Sequence, residues 1–172
     1  IPKGLVGSEM CIRDSYYRWE DINEMCMKIF SQIYKDNWRP DYIVGLTRGG
    51  NIPATILSHM MEVPAEALKI SLRDHASTES NCWMAEDAYN GKNILVVDDI
   101  NDTGETLSYL CNDWQNNCLP DDKVKWENIF GGNVRFATLT ENLASDFDKV
   151  SYYVHEVNKA EEDVWLVYPW EI

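Results

Sequence analysis

Three carboxylates stand at the end of an apolar run in "ILVVDDINDTGETL", residues 94–107: Asp98, Asp99 and Asp102. Like charges repel, and each loses hydration at the end of a buried strand, so the grouping asks for a chemical purpose. Thr103, Gly104, Glu105 and Thr106 follow at once. A turn of this composition opening a helix presents free backbone amides, two hydroxyls and the positive end of the helix dipole to a phosphate. Gly104 lets the backbone approach closely. The acids suit hydroxyl groups or a hard divalent cation such as Mg2+. A ligand carrying a phosphate, vicinal hydroxyls and a metal satisfies every part, and a ribose phosphate is such a ligand. Any one of these Asp residues alone would pass for a turn or N-cap residue. It is the whole pattern that points to chemistry.

The elements that must position these groups follow from periodicity. Between Trp19 and Trp38, Ile22, Cys26, Ile29, Phe30 and Ile33 recur at helical spacing, and Arg39-Pro40 is expected to end that helix. "DYIVGL" (41–46) predicts a short buried strand, "TRGG" (47–50) a turn, and residues 52–61 a second helix stopped before Val63-Pro64. "ALKISL" (67–72) alternates like a strand. Residues 73–93 are polar and irregular, and a connection that long predicts a functional loop. "NILVV" (93–97) predicts a strand covered on both faces. A helix is then expected from about Gly104 to Asn117, with Leu107, Leu110, Cys111 and Trp114 on one face. After a loop containing Pro and Asp, "VRFATLT" (134–140) and "VSYYVHEV" (150–157) predict strands, and "VWLVYPWEI" (164–172) closes the chain. Alternating strands and helices imply an α/β fold with a mostly parallel sheet and right-handed crossovers. In such a sheet ligands sit at the carboxyl ends of strands, where Asp98 and Asp99 fall.

The 172 residues suit one domain, assigned to 16–172. Residues 1–15, "IPKGLVGSEMCIRDS", lack periodicity, do not begin with Met and resemble translated adapter sequence, so a non-native or disordered segment is expected there. The net charge of −14, from 29 acids against 15 bases, argues against nucleic acid or an anionic membrane as partner. No run approaches the roughly 20 apolar residues that span a bilayer, and no signal peptide is visible. Five cysteines form no CxxC pair. Cys111 and Cys118, about 10 Å apart along one helix, are too distant to bridge. Reduced thiols in a cytoplasmic protein are expected.

The stretch "ILVVDDINDTGETL" resembles the phosphoribosyl-pyrophosphate signature of the type I phosphoribosyltransferases. "YIVGLTRGGNIPA" resembles that family's pyrophosphate loop. "VWLVYPWE" and "YYRWEDINEM" resemble the base-binding tail and the start of bacterial xanthine-guanine enzymes, so the likeness runs from about Tyr16 to the end. It implies the family's fold, with a small hood formed by the terminal segments. It also implies transfer of the 5-phosphoribosyl group from phosphoribosyl pyrophosphate to a purine (xanthine, guanine or hypoxanthine), with Mg2+ bound, in purine salvage, by a homodimer or homotetramer. By position in the motifs, Asp98 and Asp99 would hold the ribose hydroxyls, with Asp99 nearer the metal. Asp102 would exchange a proton with the purine ring, and Asp102, Thr103, Gly104, Glu105 and Thr106 would cradle the 5-phosphate. Thr47, Arg48, Gly49 and Gly50 would bind pyrophosphate, and residues 73–93 would form the mobile loop, with Arg73 and Lys92 placed for phosphate contacts and His75 reading as an exposed loop residue. Trp165 would stack on the base and Leu166 would offer it backbone groups, while Trp170 reads as structural.

The pattern breaks at one place. The 6-oxopurine enzymes usually carry a lysine after the strand that follows the signature helix. Here that stretch is "VRFATLTENLAS" (134–145), with Asn142 about where the lysine belongs. An amide can donate to an oxygen or accept from an amino group, so the base stays open. A transferase for another base, or a non-catalytic regulator sensing phosphoribosyl pyrophosphate, is the alternative.

Overall fold

Tyr42–Thr47 (β2) and Ile94–Val97, the first half of β4 (Ile94–Asn101), are apolar on both faces and are buried on both. Alternate residues of these strands enter opposite layers. Tyr42, Val44, Leu46, Ile94 and Val96 join one apolar cluster, whereas Ile43, Leu95 and Val97 join another. Helices α1 (Trp19–Lys35) and α2 (Asn51–Met61) cover the second cluster through Ile22, Ile29, Ala54 and Leu57. On the other face, α3 (Cys82–Tyr89), α4 (Glu105–Asn117) and α5 (Lys123–Ile129) contribute Met84, Leu110, Trp114 and Trp126.

The computed structural model describes residues 13–70, 82–117 and 122–172. Among them, a parallel sheet runs in the order β3 (Ala65–Lys69), β2, β4, β5 (Val134–Asn142), β6 (Val150–Tyr152), and β7 (His155–Val157) pairs with the far end of β5. A separate parallel pair joins β1 (Arg13–Tyr16) to β8 (Val164–Val167), in the register Ser15 to Leu166. This pair is the small hood of terminal segments. Tyr17 fastens it to the sheet, its hydroxyl 3.0 Å from Thr140 Oγ1 and 3.1 Å from His155 Nδ1.

Several expectations are corrected. Strand β1 starts at Arg13, so ordered structure begins inside the segment 1–15; residues 1–12 lie outside the described residues. Helix α1 stops at Lys35 rather than continuing toward Trp38: Asp36 caps it, and Asn37 takes φ +53°, the left-handed stop that Asn tolerates. β3 covers residues 65–69, two earlier than the alternation suggested. Of the long connection 73–93, residues 82–89 are the helix α3, an eight-residue element whose buried side chains are one Met84 and two alanines, Ala85 and Ala88. Arg73 and His75 lie outside the described residues. Helix α5 follows the loop after α4, with Trp126 fully buried. Residues 150–157 are two short strands, not one.

Candidate active site

The carboxyl ends of β2, β4 and β5 lie side by side, because Val44 of β2 registers with Val96 and Thr140 of β5 with Ile100. β4 is longer than expected and carries Asp98 and Asp99 within the strand rather than after it. Asp98 Oδ1 accepts the Asp99 amide at 2.9 Å, and Asp99 Oδ1 accepts the Ile100 amide at 2.8 Å. Burial, and then the charge of Asp99, pushes the Asp98 carboxyl well above its usual range. Asp99 is raised too, first by burial, with Glu171 adding repulsion. Its carbonyl accepts from the buried Tyr168 hydroxyl at 3.1 Å.

β2 delivers the turn 47–50 against these acids. The Thr47–Arg48 peptide is cis. Gly49 faces the Asp99 carboxylate so closely that a Cβ there would collide with it. Arg48, Gly49, Ile52, Asp99, Trp170 and Glu171 line one open cavity of about 550 Å³. Residues 98–107 line a second cavity of about 190 Å³, which shares Asp99 with the first. Its wall is the turn before α4. Gly104 takes φ +94°, and a Cβ there would come within 2.6 Å of the Phe147 amide nitrogen. The Glu105 amide donates to Thr103 Oγ1 at 3.3 Å, and the Glu105 side chain points to solvent. Asp99 thus belongs to both cavities, with a helix N-terminus on one side and an Arg-Gly-Gly turn on the other. A single ligand with an anionic group at each end and hydroxyls between would meet complementary groups along its length.

Asp102 is not the cap of α4, which starts three residues later. Its carboxylate Oδ1 pairs with Lys159 Nζ at 3.0 Å. Asn142, expected to face a base, is buried and spent on its own chain. Its Nδ2 donates to the Asp102 carbonyl at 2.8 Å, and its Oδ1 accepts the amides of Ala144 at 3.2 Å and Lys159 at 3.0 Å. Next to it, Glu141 is held by Asn101 Nδ2 at 2.8 Å, and burial raises its carboxyl.

The base-binding expectations meet the structure unevenly. Trp165 lies on β8 with 42% of its surface exposed, and Leu166 lines a third cavity of about 610 Å³ between the hood and β7. Neither is among the residues around the two cavities that share Asp99. Trp170, read as structural, does line the larger one; it stacks on Tyr168 at 5.0 Å between ring centroids. Lys92 is paired with Asp87 at 3.7 Å. Glu171 and Lys159 escaped the sequence reading. Neither sits in a periodic element or beside the signature, and only chain folding carries them there.

A parallel α/β sheet with adjacent acids and a glycine-bearing turn where its strand order reverses places a ligand site at that point. Residues 13–168 match the phosphoribosyl transferase domain, and the chain belongs to that family. It is 28% identical to the hypoxanthine-guanine phosphoribosyltransferase of Schizosaccharomyces pombe, over 91% of this chain and 88% of that protein. It is 23% identical to the xanthine-guanine phosphoribosyltransferase of Idiomarina loihiensis, over 93% and 88%. Among solved structures, the xanthine-guanine-hypoxanthine phosphoribosyltransferase of Helicobacter pylori shares the fold, with a TM-score of 0.65 at 18% identity over 93% of this chain and 95% of that one.

Proposed function

We propose that this protein transfers the 5-phosphoribosyl group of phosphoribosyl pyrophosphate to hypoxanthine, guanine or xanthine, giving the nucleoside 5′-monophosphate and pyrophosphate. The observation that carries the reading is the pair of anion cavities meeting at Asp99. In the bound ligand the 5-phosphate takes the amides of Thr103–Thr106, the ribose diol faces Asp98 and Asp99, and pyrophosphate takes Arg48 and the Gly49-Gly50 backbone. The bond from C1 to pyrophosphate breaks with its electron pair leaving on pyrophosphate, and a purine nitrogen bonds to C1. Positive charge develops on the sugar meanwhile, and the carboxylates beneath it stabilise that charge. Asp102 takes the proton that the purine nitrogen releases.

Among the described residues no cluster of three or more His, Cys, Asp or Glu could hold a metal ion. Mg2+ takes one or two carboxylates, keeps its waters and binds substrate phosphates. Asp99 and Glu171, which face the same cavity and repel one another, are the groups that would hold it. When bound it would neutralise charge on the departing pyrophosphate. The named activities of the relatives, and their extent of match, support the purine as acceptor.

The test is incubation with phosphoribosyl pyrophosphate, Mg2+ and a panel of bases. Pyrophosphate release with hypoxanthine, guanine or xanthine is the expected result. Release with only a pyrimidine or adenine overturns the choice of base.

A further inference from the structure

We propose that Asn101 and Ser145 are positioning residues for the 5-phosphate: through them the loop after β5, residues 143–147, holds the turn 102–106 in its binding shape before any ligand arrives. The inference deepens the proposed function and rests on it for the place of the 5-phosphate.

The turn is fastened from outside more firmly than from within. Inside it, the bond from the Glu105 amide to Thr103 Oγ1 is long at 3.3 Å. Gly104, at φ +94°, is a residue whose backbone is free to leave that conformation. From outside, the Asp146 amide donates to the Thr103 carbonyl at 3.0 Å. Packing adds to that contact. A Cβ on Gly104 would lie 2.6 Å from the Phe147 amide nitrogen and 2.8 Å from Ser145 Oγ, so the turn and the loop touch with no side chain between them.

The loop in turn is fixed by one buried amide. Asn101 ends β4 and is 2% exposed. Its Nδ2 donates to Glu141 Oε1 at 2.8 Å and to the Phe147 carbonyl at 2.9 Å, which uses both hydrogens. Its Oδ1 accepts from the Ser145 hydroxyl at 2.9 Å. With its hydrogen committed to Asn101, the Ser145 oxygen accepts the Phe147 amide at 3.1 Å. Glu141 stands opposite Asn101 in the register of β4 and β5, so the same side chain ties the loop to both strands. An aliphatic residue at 101 would make none of these bonds.

The consequence is confined to one end of the ligand. Backbone amides already aimed at an anion need no ordering when it binds. The cavity beside Arg48 shares only Asp99 with the cavity of the turn, and no residue of the loop lines it. Loosening the loop therefore weakens the hold on the 5-phosphate and leaves the hold on pyrophosphate.

The experiment is calorimetric titration, in Mg2+, with ribose 5-phosphate and with pyrophosphate, on the intact protein, Ser145→Ala, Asn101→Leu and the double variant. Each single variant is expected to bind ribose 5-phosphate about tenfold more weakly, as loss of a buried hydrogen bond implies, and pyrophosphate within about twofold of the intact protein. The double variant should be no weaker than Asn101→Leu, since both changes remove the same link. Ser145→Ala deletes a single half-buried hydroxyl, and it carries the test where Asn101→Leu, which strips Glu141 of its amide partner, fails to fold. Equal weakening of both ligands, or unchanged ribose 5-phosphate affinity in Ser145→Ala, overturns the proposal. Failure of the intact protein to bind ribose 5-phosphate overturns the proposed function itself, and this inference with it.

Discussion

Asp98 and Asp102 are the same residue type four positions apart, yet their surroundings assign them different tasks. Asp98 is half-buried beside another carboxylate, and its raised pKa means that the ionised form opposes folding above the ordinary Asp range. Asp98→Asn keeps the shape and the acceptor for the Asp99 amide while removing that charge. The free protein should therefore melt higher at neutral pH, at about 2–4 °C per kcal/mol for a chain of this size, and bind phosphoribosyl pyrophosphate less well. A lower melting temperature by calorimetry would mean that the charge is compensated in the fold. Asp102 is half-exposed and paired with Lys159. Asp102→Asn should lower kcat on the order of 10²–10⁴-fold while leaving phosphoribosyl pyrophosphate affinity nearly intact. Unchanged turnover in a steady-state assay would remove the proton-transfer role. At this scale the sequence was informative wherever function is local. The signature and the turn 47–50 could be read directly, since their amides and acids are neighbours in the chain. Lys159 and Glu171 could not, because their relation to Asp102 and Asp99 exists only once β5, β7 and the final turn are in place. Asn142 misled for the same reason: its buried hydrogen bonds to Asp102, Ala144 and Lys159 are invisible in one dimension.

At the scale of elements, apolar runs reported themselves and mixed segments did not. β2, β4, α1 and α4 have long or strongly periodic apolar patterns, and each lies close to where the pattern put it. α3 and α5 are eight and seven residues long, too short to display a full helical stripe among polar connections. The continuation of β4 through two adjacent acids runs against strand propensity, and pairing with the long β5 overrides it. That continuation is what seats Asp99 beneath the turn after β2. The fit there leaves no space for a side chain at Gly49. Gly49→Ala is therefore expected to displace the Asp99 carboxylate and cost on the order of 10²-fold in kcat/KM, mostly through KM for phosphoribosyl pyrophosphate. Steady-state kinetics check this, and kinetics matching the unaltered protein would show that the turn can yield.

For the whole molecule, the sheet supplies a rigid floor and the two chain ends meet above it as the β1–β8 pair. Two apolar layers, one on each face, hold β2, β4 and β5 in register, so their carboxyl ends arrive together. No helix among the described residues is long and apolar enough to cross a membrane. The central claim is that one ligand spans both anion cavities and turns on Asp98 and Asp99 at their junction. The most direct test is calorimetric titration, in Mg2+, with phosphoribosyl pyrophosphate, ribose 5-phosphate and pyrophosphate in turn. Linking two binding groups in one molecule gains roughly 10²-fold or more over either alone. Phosphoribosyl pyrophosphate should therefore bind at least that much tighter than each fragment. Equal affinity for phosphoribosyl pyrophosphate and one of its halves would contradict the account, because it would mean that only one cavity is used.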